Sequence, residues 1–380
     1  MKKFVFLFAV LILCSCGARW ESLFNGKNLD GWHRVCGEAP FEVIDGCIVT
    51  EGVNGRMNSF LAADNEYGDF ILKFDFKMEE GFNSGVQFRG HMNPAGRVYG
   101  YQFEECGNPK RCWTGGIYDE QRRGWLYKLT WNPEGQQANR LGEWNKGRIE
   151  AVGGHLRTFV NGVLCADVLD DADASGMIAL QSHATNGRTE MEGKKAFWRN
   201  IRICTVHPEK HMLKTDGSVF QYNWAANTLS ERQRQEGWSL LWDGKTMEGW
   251  AAPDGSPAQD GTWKVADGEL ISDGSAALAS AGTFTDFWLS VDVKFKKGAS
   301  GDLFKAIKAN TKDAWFYDSQ WNTAWVKVKD GNVETFLNGV QVDGSAPAWD
   351  EFRLRGSDGH ILLPPAGDEI HFRNILVKAL

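Results

Sequence analysis

Polar and ionisable residues recur at alternate positions in three short segments that are otherwise mostly apolar. The pairs are Gln102 and Glu104 in "YGYQFEE" (99–105), Gln87 and Arg89 in "NSGVQFRG" (83–90), and Gln181 and His183 in "IALQSHA" (178–184). Successive side chains of a β-strand point to opposite faces, so the two members of each pair share a face. We therefore expect an open, concave sheet face lined by these six residues. A solvated outer face of a sandwich is the alternative.

A fourth segment, "GGIYDEQRRGWL" (115–126), places acids and bases beside aromatic residues. Carboxyl and imidazole groups can act as general acids and bases. The candidates for proton transfer are Glu104, Asp119, Glu120 and His183. The candidates for substrate binding are Asn83, Gln87, Arg89, Gln102, Tyr118, Arg122, Trp125 and Gln181. Two alternatives stay open: Arg122 and Arg123 could simply pair with the neighbouring acids, and residues 83–85 could be only a turn that enters a strand.

The established catalytic and metal-binding motifs are missing from the sequence. It contains no HExxH, paired CxxC, GxSxG or P-loop pattern. The ExDxxE arrangement of jelly-roll glucanases is also absent, which counts against a two-carboxylate glycosidase mechanism. Glu104 with Asp119 or Glu120 could still form such a pair.

Strand periodicity supplies the elements that would position these side chains. "DFILKFDFK" (69–77) alternates apolar and polar residues at period two, as a half-buried strand does. Turns are indicated at Gly153-Gly154 and at Asn161-Gly162, and Asn-Gly is the strongest short hairpin pattern. No segment of helical period rivals these patterns. The sequence therefore predicts an all-β fold, a sandwich or jelly roll.

The chain repeats itself in the same order in its two halves. "SLFNGKNLDGW" (22–32) returns as "LLWDGKTMEGW" (240–250), "FVNGV" (159–163) as "FLNGV" (336–340), and "WRNI" (198–201) as "FRNI" (372–375). Such self-similarity indicates a duplicated domain. We predict domains at 20–205 and 238–380, joined by a linker at 206–237. The linker should contain a short helix, capped by Thr228 with Glu231 and stopped at Gly237.

The two copies are not equivalent. The interval from Arg89 to Trp144 in the first copy is 39 residues longer than the aligned interval from Lys305 to Trp321 in the second. The missing part includes "YGYQFEE" and "GGIYDEQRRGWL". A reactive site is therefore expected in the first copy. The pair Trp144-Asn145 survives as Trp321-Asn322, which favours a structural role for it.

The N-terminus is typical of an exported lipoprotein. Lys2 and Lys3 precede an apolar run from Phe4 to Leu13 that is too short to span a bilayer. We expect a signal peptide at 1–15, cleavage before Cys16 and lipid on Cys16. Acyl chains would anchor the chain to the membrane, on the periplasmic side or the cell surface, without spanning it.

Bulk composition excludes some partners and leaves the cysteines open. A net charge of −7 and a pI near 5.7 argue against a nucleic-acid surface. An even number of cysteines follows Cys16, namely Cys36, Cys47, Cys106, Cys112, Cys165 and Cys204. In an exported chain these could form disulfides, with Cys106–Cys112 the closest pair, or stay as buried thiols.

Taken in order, several segments resemble the DUF1080 family, also called the 3-keto-disaccharide hydrolase domain, which has a concanavalin A-like fold. The segments are "LFNGKNLDGW", "NSGVQFRG", "YGYQFEE", "GGIYDEQRRGWL", "EWN", "LQSH" and "FWRNIRI", within about 20–205. A weaker match covers 238–380. The resemblance implies two concanavalin A-like jelly-roll domains, the second degenerate. It also implies cleavage of glycosides whose C3 hydroxyl has been oxidised to a ketone.

That chemistry needs one base and one group that stabilises an oxyanion. A C3 ketone acidifies the C2 proton, and the enolate formed by its loss expels the group on C1, after which water adds. On this reading Glu104 or His183 is the base, and Arg89 or Arg122 stabilises the enolate oxygen. Asp119 and Glu120 would orient sugar hydroxyls, protonate the leaving group or hold a divalent cation; no cofactor is required. Trp113 or Trp125 would stack on the sugar ring.

Two other functions remain open at the level of sequence. One is a non-catalytic carbohydrate-binding protein, which suits the Trp-rich second domain in particular. The second domain could equally be a structural partner that only packs against the first. The other function is a conventional two-carboxylate glycoside hydrolase.

Overall fold

The structure is a computed structural model that describes residues 19–259, 261–311, 315–342 and 359–380. The predicted signal peptide and Cys16 lie outside the described residues. No helix of the described part is long and apolar enough to cross a membrane.

Strands dominate the first half of the chain. They are β1 (Glu21–Ser22), β2 (Trp32–Cys36), β3 (Phe41–Ile44), β4 (Cys47–Glu51), β5 (Ser59–Tyr67), β6 (Phe70–Met78), β7 (Asn83–Met92), β8 (Val98–Cys106), β9 (Ile117–Glu120), β10 (Gly124–Tyr127), β11 (Asn145–Val152), β12 (His155–Val160), β13 (Val163–Leu169), β14 (Gly176–Ser182), β15 (Lys195–Cys204) and β16 (Gln221–Asn223). A short helix, α1 (Pro133–Gln137), and 3-10 turns at Leu129–Trp131, Thr189–Met191 and Pro208–His211 complete this half.

The second half contains the helices α2 (Glu231–Gln235) and α3 (Asp302–Asn310). Its strands are β17 (Ser239–Leu240), β18 (Trp250–Ala251), β19 (Trp263–Ala266), β20 (Glu269–Ser272), β21 (Leu278–Thr283), β22 (Phe287–Phe295), β23 (Asn322–Lys329), β24 (Asn332–Leu337), β25 (Val340–Gln341), β26 (His360–Leu363) and β27 (Ile370–Ala379). The all-β fold class predicted from the sequence is confirmed.

Two sheets form the first sandwich. The back sheet has the order β16-β13-β12-β11-β6-β15-β4-β3, with β1 also on β15, and the cleft sheet has the order β10-β9-β8-β7-β14-β5-β2. The core between them is aromatic: the Phe103 ring lies 5.3 Å from that of Phe74 and 5.8 Å from that of Phe76. The alternation in β6 explains this packing, because its apolar positions face the core while Lys73 is exposed.

The predicted hairpin turn at Asn161-Gly162 joins β12 to β13. Both residues have positive φ, at 51° and 88°. A two-residue turn of this type requires positive φ at both positions, and Asn and Gly adopt it most readily. The local sequence therefore fixes the register of this hairpin.

The second sandwich is a reduced version of the first. Its large sheet has the order β19-β20-β27-β22-β23-β24-β25, with β17 on β27, and faces a smaller sheet, β18-β21-β26. Lys305, which aligns with Arg89, lies in α3 and not in a strand. A helix therefore stands where the first copy has β7, and the described residues of the second copy build no counterpart of the β7–β10 face.

The linker belongs structurally to the first domain at one end. β16 pairs in parallel with β13 and so extends the back sheet. The short helix α2 follows, but the predicted cap is wrong. The capping box is formed by Ser230 with Gln233, while the Thr228 hydroxyl donates to the Ala225 carbonyl.

Aromatic side chains fill the interface between the two sandwiches. Phe220 of the linker lies 4.8 Å from Trp325 of the second domain, edge to face. Tyr222 donates its hydroxyl proton to the Asp292 carboxylate, and the buried Lys128 ammonium donates to the Trp321 carbonyl at 2.9 Å. The second domain thus contacts the linker and the first domain through β22, β23 and the residue just before β23.

Candidate functional site

A cleft of about 680 Å³ opens on the concave face of the cleft sheet. Of the candidates named from the sequence, those that line it are Asn83, Gln102, Glu104, Tyr118, Glu120, Trp125 and His183. Strand register brings them together, since Gln102 pairs with Tyr118 on one side and with Gln87 on the other, while Gly85 pairs with Glu104. The expected concave polar face therefore exists, although some of its expected members lie elsewhere.

A glycine in β7 makes room for the polar face. A Cβ at Gly85 would lie 2.7 Å from Cδ of Gln102, closer than any side chain tolerates. The Gln102 amide therefore lies across the bare backbone of Gly85, with its nitrogen 3.5 Å from Glu104 Oε2 and 3.5 Å from Gln181 Oε1. The glycine of the motif "NSGVQFRG" is thus explained, because the Gln102 side chain of β8 passes close over the backbone of β7 at Gly85.

Glu104 is held by a cation that the sequence reading missed. Arg111 Nη2 lies 2.6 Å from Glu104 Oε1, which also accepts from Asn83 Nδ2 at 2.8 Å. Burial raises the pKa of Glu104, and Arg111 opposes that shift. Burial disfavours the charge of Arg111, but Glu104 and Cys106 outweigh it and raise the pKa of the guanidinium. The pair fixes the Arg111 guanidinium at the cleft wall.

His183 lies just past the end of β14 with a defined tautomer. Its Nδ1 is 2.7 Å from the Ala184 carbonyl oxygen, an acceptor, so Nδ1 carries the proton and Nε2 keeps its lone pair. Burial lowers the pKa of His183, and the charges of Arg188 and Arg111 lower it further, against the Ala184 carbonyl. A neutral imidazole with one free nitrogen is a competent general base.

Glu120, on β9, is a further carboxyl group in the cleft lining. Burial raises its pKa, and the nearby carboxylates of Glu104 and Asp119 raise it further. Its Oε1 accepts from Gln121 Nε2 at 3.1 Å and from Asn58 Nδ2 at 3.3 Å. Burial, with the carboxylates of Glu120 itself and of Glu104, raises the pKa of neighbouring Tyr118 to about 12. Glu120 has no cationic partner among the described residues, and its raised pKa allows it to carry a proton.

Arg89 is a structural residue, and its predicted place in the cleft is wrong. The pairing of β7 with β8 shifts register between Phe88 and His91, and Arg89 has a φ of 46°. The Arg89 side chain therefore does not share the face of Gln87, as regular alternation would require. The guanidinium is 1% exposed, donates to the carbonyls of Gly68, Gly153 and Asp173, and pairs with Asp69 at 2.9 Å. Periodicity did not reveal the β-bulge, because a bulge adds one residue to one strand only.

Asp119 and Arg122 also lie outside the cleft lining. Asp119 is fully buried and accepts from Nε of Arg122 at 2.8 Å and from Nε of Arg123 at 2.5 Å. Arg122 also forms an ion pair with Asp173, and Arg123 with Asp170. The simple pairing alternative holds for Asp119, so neither it nor Arg122 is placed to act on a ligand in the cleft.

The remaining candidates are buried beside the cleft and do not form its surface. Gln87 and Gln181 are fully buried on the polar face, and neither side-chain polar atom of Gln87 has a hydrogen-bond partner among the described residues. Trp113 is fully buried and packs at 4.5 Å against Trp125, which reaches the cleft. Arg111 lies over the Trp125 ring at 5.2 Å, so that ring already has a cation on one face.

The sequence reading missed several cleft residues because they lie in loops or in the other domain. Those from the first domain include Asn58, Arg97, Arg111 and Arg188, and those from the second are Tyr317 and Gln320. Arg111 stands between two cysteines in "ECGNPKRCW", where strand alternation says nothing. An arginine in a Pro- and Gly-containing loop next to a polar strand was the only pattern that could have pointed to it.

The described residues show neither a metal centre nor a disulfide. No group of three or more His, Cys, Asp or Glu side chains among them is arranged to hold a metal ion. The cysteines at 36, 47, 106, 112, 165 and 204 are all free thiols, so the pair Cys106 and Cys112 is not bridged.

The fold and the polar cleft define the class of the protein: a duplicated concanavalin A-like β-sandwich with a polar cleft in its first copy. More specifically, the chain belongs to the family described as the 3-keto-alpha-glucoside-1,2-lyase-like domain. The family model matches residues 19–204 and, in two overlapping pieces, 237–315 and 296–378. Both halves are thus copies of one domain, and the second match divides where that copy is shorter.

Solved structures resemble about half of the chain at low sequence identity. A candidate glycosyl hydrolase from Parabacteroides distasonis is 20% identical over 49% of this chain and 94% of its own, with a TM-score of 0.37. The carbohydrate-binding module CBM66 from Bacillus subtilis is 14% identical over 47% and 98%, with a TM-score of 0.30. A galectin-like protein of unknown function from Bacillus subtilis is 10% identical over 50% and 96%, with a TM-score of 0.36. No curated protein matches the chain.

Proposed function

We propose that the first domain cleaves 3-keto-glycosides by removing the C2 proton next to the ketone. The observation that carries this proposal is a neutral His183, with Nε2 free, in the same cleft as the Glu104–Arg111 ion pair. A base and a fixed cation are the two groups that an enolate-forming elimination needs. The family to which the chain belongs supports the same reaction class.

In the first step His183 Nε2 takes the C2 proton. The electron pair of the C2–H bond moves toward the C3 ketone, whose oxygen becomes an enolate. Arg111 replaces Arg89 and Arg122 as the group that stabilises this charge, because it is the arginine fixed in the cleft by Glu104. Glu104 is then an anchor for the cation, since a carboxylate paired at 2.6 Å is a poor base.

In the second step the enolate reforms the ketone and the C1–O bond breaks. The leaving oxygen needs a proton, and Glu120 is suited to supply it, because its raised pKa favours the protonated acid. The product is an unsaturated 3-keto sugar with a C1–C2 double bond. Water then adds across that bond, with a solvent-derived proton going to C2 and hydroxyl to C1. His183 loses its proton to solvent and Glu120 regains one, so the net reaction is hydrolysis of the glycoside.

Two variants of the full chain test this assignment. His183→Asn removes the base and should lower turnover of a methyl 3-keto-glucoside by roughly two orders of magnitude or more. Glu104→Gln should lower it by a smaller factor, because Arg111 remains but is less well fixed. Asp119→Asn and Arg89→Lys are poor controls, since each of these side chains is buried and ion-paired. Glu42→Gln, at an exposed site in β3, is the matched control.

Full activity in both His183→Asn and Glu104→Gln would overturn the site. Cleavage of only the unoxidised methyl glucoside would overturn the keto mechanism and favour a carboxylate pair such as Glu104 with Glu120. Saccharide binding without turnover of either sugar would favour a carbohydrate-binding protein.

We also propose that the chain is exported and anchored by lipid on Cys16, as the pattern of Lys2, Lys3 and the short apolar run indicates. Cys16→Ser should then release the protein from the membrane fraction into the soluble fraction, as followed by immunoblotting. An unchanged distribution, or a mature N-terminus that does not begin at Cys16 by mass spectrometry, would contradict this.

A further inference from the structure

The second domain places two side chains at the cleft of the first. Tyr317 and Gln320 come from the segment 315–321, which precedes β23. The Trp125 backbone amide donates to Gln320 Oε1 at 3.4 Å. Next to it, the Trp315 ring packs at 5.4 Å against Trp113 of the first domain. The segment is therefore in direct contact with the wall of the cleft.

The first domain is shaped to receive Gln320. A Cβ at Gly124 would lie 2.7 Å from both Cδ and Oε1 of Gln320, and Gly124 also has φ of 76°. Both facts demand glycine at this position. The glycine of "GGIYDEQRRGWL" that precedes Trp125 thus leaves room for a side chain of the other domain.

Tyr317 lies within the electrostatic field of the reactive groups. Burial raises its pKa, Arg111 lowers it, and Glu104 raises it further. Tyr317 in turn raises the pKa of Tyr118, after burial and the carboxylates of Glu120 and Glu104. Geometry agrees, because Tyr317 lines the cleft and packs, partly buried, against the hydrophobic core of the first domain.

An asparagine clamp fixes the segment that carries both side chains. Asn322 Nδ2 donates to the carbonyls of Tyr317 at 2.7 Å and Gln320 at 3.0 Å, and its Oδ1 accepts from the Tyr317 amide at 3.3 Å. The first copy has the same clamp. There Asn145 binds Arg140 and Glu143 in the same pattern, at 2.9 Å for each bond.

The two clamped turns differ in what they face. Arg140 and Glu143, the counterparts of Tyr317 and Gln320, are exposed and are not part of the cleft. The two copies therefore share one turn geometry, but in the second copy the turn carries side chains that line the cleft. The described residues of the second copy build no such polar face, but two of its side chains line the cleft of the first.

We infer that Tyr317 and Gln320 are substrate-binding residues, so that the second domain completes the glycoside site of the first. The Tyr317 hydroxyl and the Gln320 amide hydrogen-bond hydroxyl groups of the sugar and hold it against the Arg111 side of the cleft. The nature of the sugar rests on the proposed function, whereas the placement of the two side chains does not.

The test compares Tyr317→Phe and Gln320→Ala with Arg140→Ala and Glu143→Ala in the full chain. The control pair removes the equivalent side chains from the equivalent turn of the other copy. Kinetics on methyl 3-keto-α-glucoside should show KM raised roughly 3- to 10-fold in each test variant, the worth of one neutral hydrogen bond, with kcat within about twofold. Titration calorimetry with unoxidised methyl α-glucoside, which lacks the ketone, should show the same loss of affinity. Equal melting temperatures exclude misfolding.

Each outcome decides the inference separately from the proposed function. If the parent chain turns over the keto sugar but the test variants behave like the controls, the inference is wrong and the proposed function stands. If the parent chain shows no turnover, the proposed function fails. In that case the inference is supported if both test variants, but neither control variant, bind methyl α-glucoside more weakly than the parent chain does. It is overturned if the test variants bind as tightly as the parent chain, or if the parent chain does not bind this sugar.

Discussion

At the scale of single residues, alternation predicted which side chains share a face but not which of them reach the cleft. Gln102 and Glu104 were placed correctly because β8 is regular through those positions. Arg89 was misplaced by a bulge, and Arg111 was overlooked because it lies in a loop. Spacing in the sequence does not show which charged side chains form ion pairs. The sequence therefore left open whether Asp119 pairs with Arg122 and Arg123 or acts on a ligand.

Glu105 shows how the opposite face of the same strand behaves. It points into the apolar core, is fully buried, and accepts from Trp198 Nε1 at 2.9 Å. Burial raises its pKa to about 8, with Glu104 adding to the shift. The folded protein therefore keeps this carboxyl group protonated over a pH range in which the unfolded chain, with a usual value near 4.3, has lost the proton.

The sign of the pH effect follows from that difference. Between about pH 5 and pH 8 the folded state binds more protons than the unfolded state, so the free energy of unfolding falls as pH rises. Glu105→Gln keeps an acceptor for Trp198 but cannot ionise. Its unfolding free energy in urea should fall less steeply, by up to about 1.4 kcal/mol per pH unit. Exposed Glu42→Gln should keep the parental slope, and an unchanged slope in Glu105→Gln would contradict the explanation.

At the scale of elements, the sequence predicted strands, turns and duplication well, because each leaves a local pattern. The β6 alternation, the Asn161-Gly162 turn and the repeated segments all correspond to observed elements. The helix α3 in place of a strand was not expected, since the shortened copy had lost the pattern of β7 without showing a clear replacement. Which loop of one copy meets which strand of the other is a non-local property that no local pattern encodes.

The two Asn-Gly turns allow this contact to be tested. Gly162 has open space around it, whereas a Cβ at Gly339 would lie 2.5 Å from the Thr130 carbonyl oxygen of the first domain. Both glycines have positive φ, at 88° and 82°, so alanine strains both turns by about 1–2 kcal/mol. Only Gly339→Ala should also loosen the packing of the second domain.

Calorimetry and limited proteolysis read out that difference. Gly339→Ala should separate the unfolding of the two domains, speed cleavage in the linker at 206–237 and raise KM for the keto sugar. Gly162→Ala should lower the melting temperature without those effects. Identical behaviour of the two variants would mean that the packed arrangement of the domains has no part in stability or binding.

At the scale of the whole molecule, the two copies of the sandwich contribute differently to the cleft. The first copy carries the polar cleft on a concave sheet. The second has a helix in place of that sheet region, and it packs Trp315, in the segment before β23, against Trp113 of the first copy. The segment "GGIYDEQRRGWL" (115–126) takes part both in the cleft and in the contact between the two domains. Tyr118, Glu120 and Trp125 face the cleft, while Gly124 receives Gln320.

The central claim is that the cleft removes the C2 proton of an oxidised sugar, and the fate of that hydrogen tests it most directly. The purified chain would be incubated with methyl 3-keto-α-glucoside carrying deuterium at C2, and with its unoxidised counterpart, and both reactions followed by NMR. The account predicts release of methanol from the keto sugar alone, with the C2 deuterium lost to solvent. Cleavage that retains deuterium at C2, or equal cleavage of the unoxidised sugar, would contradict it.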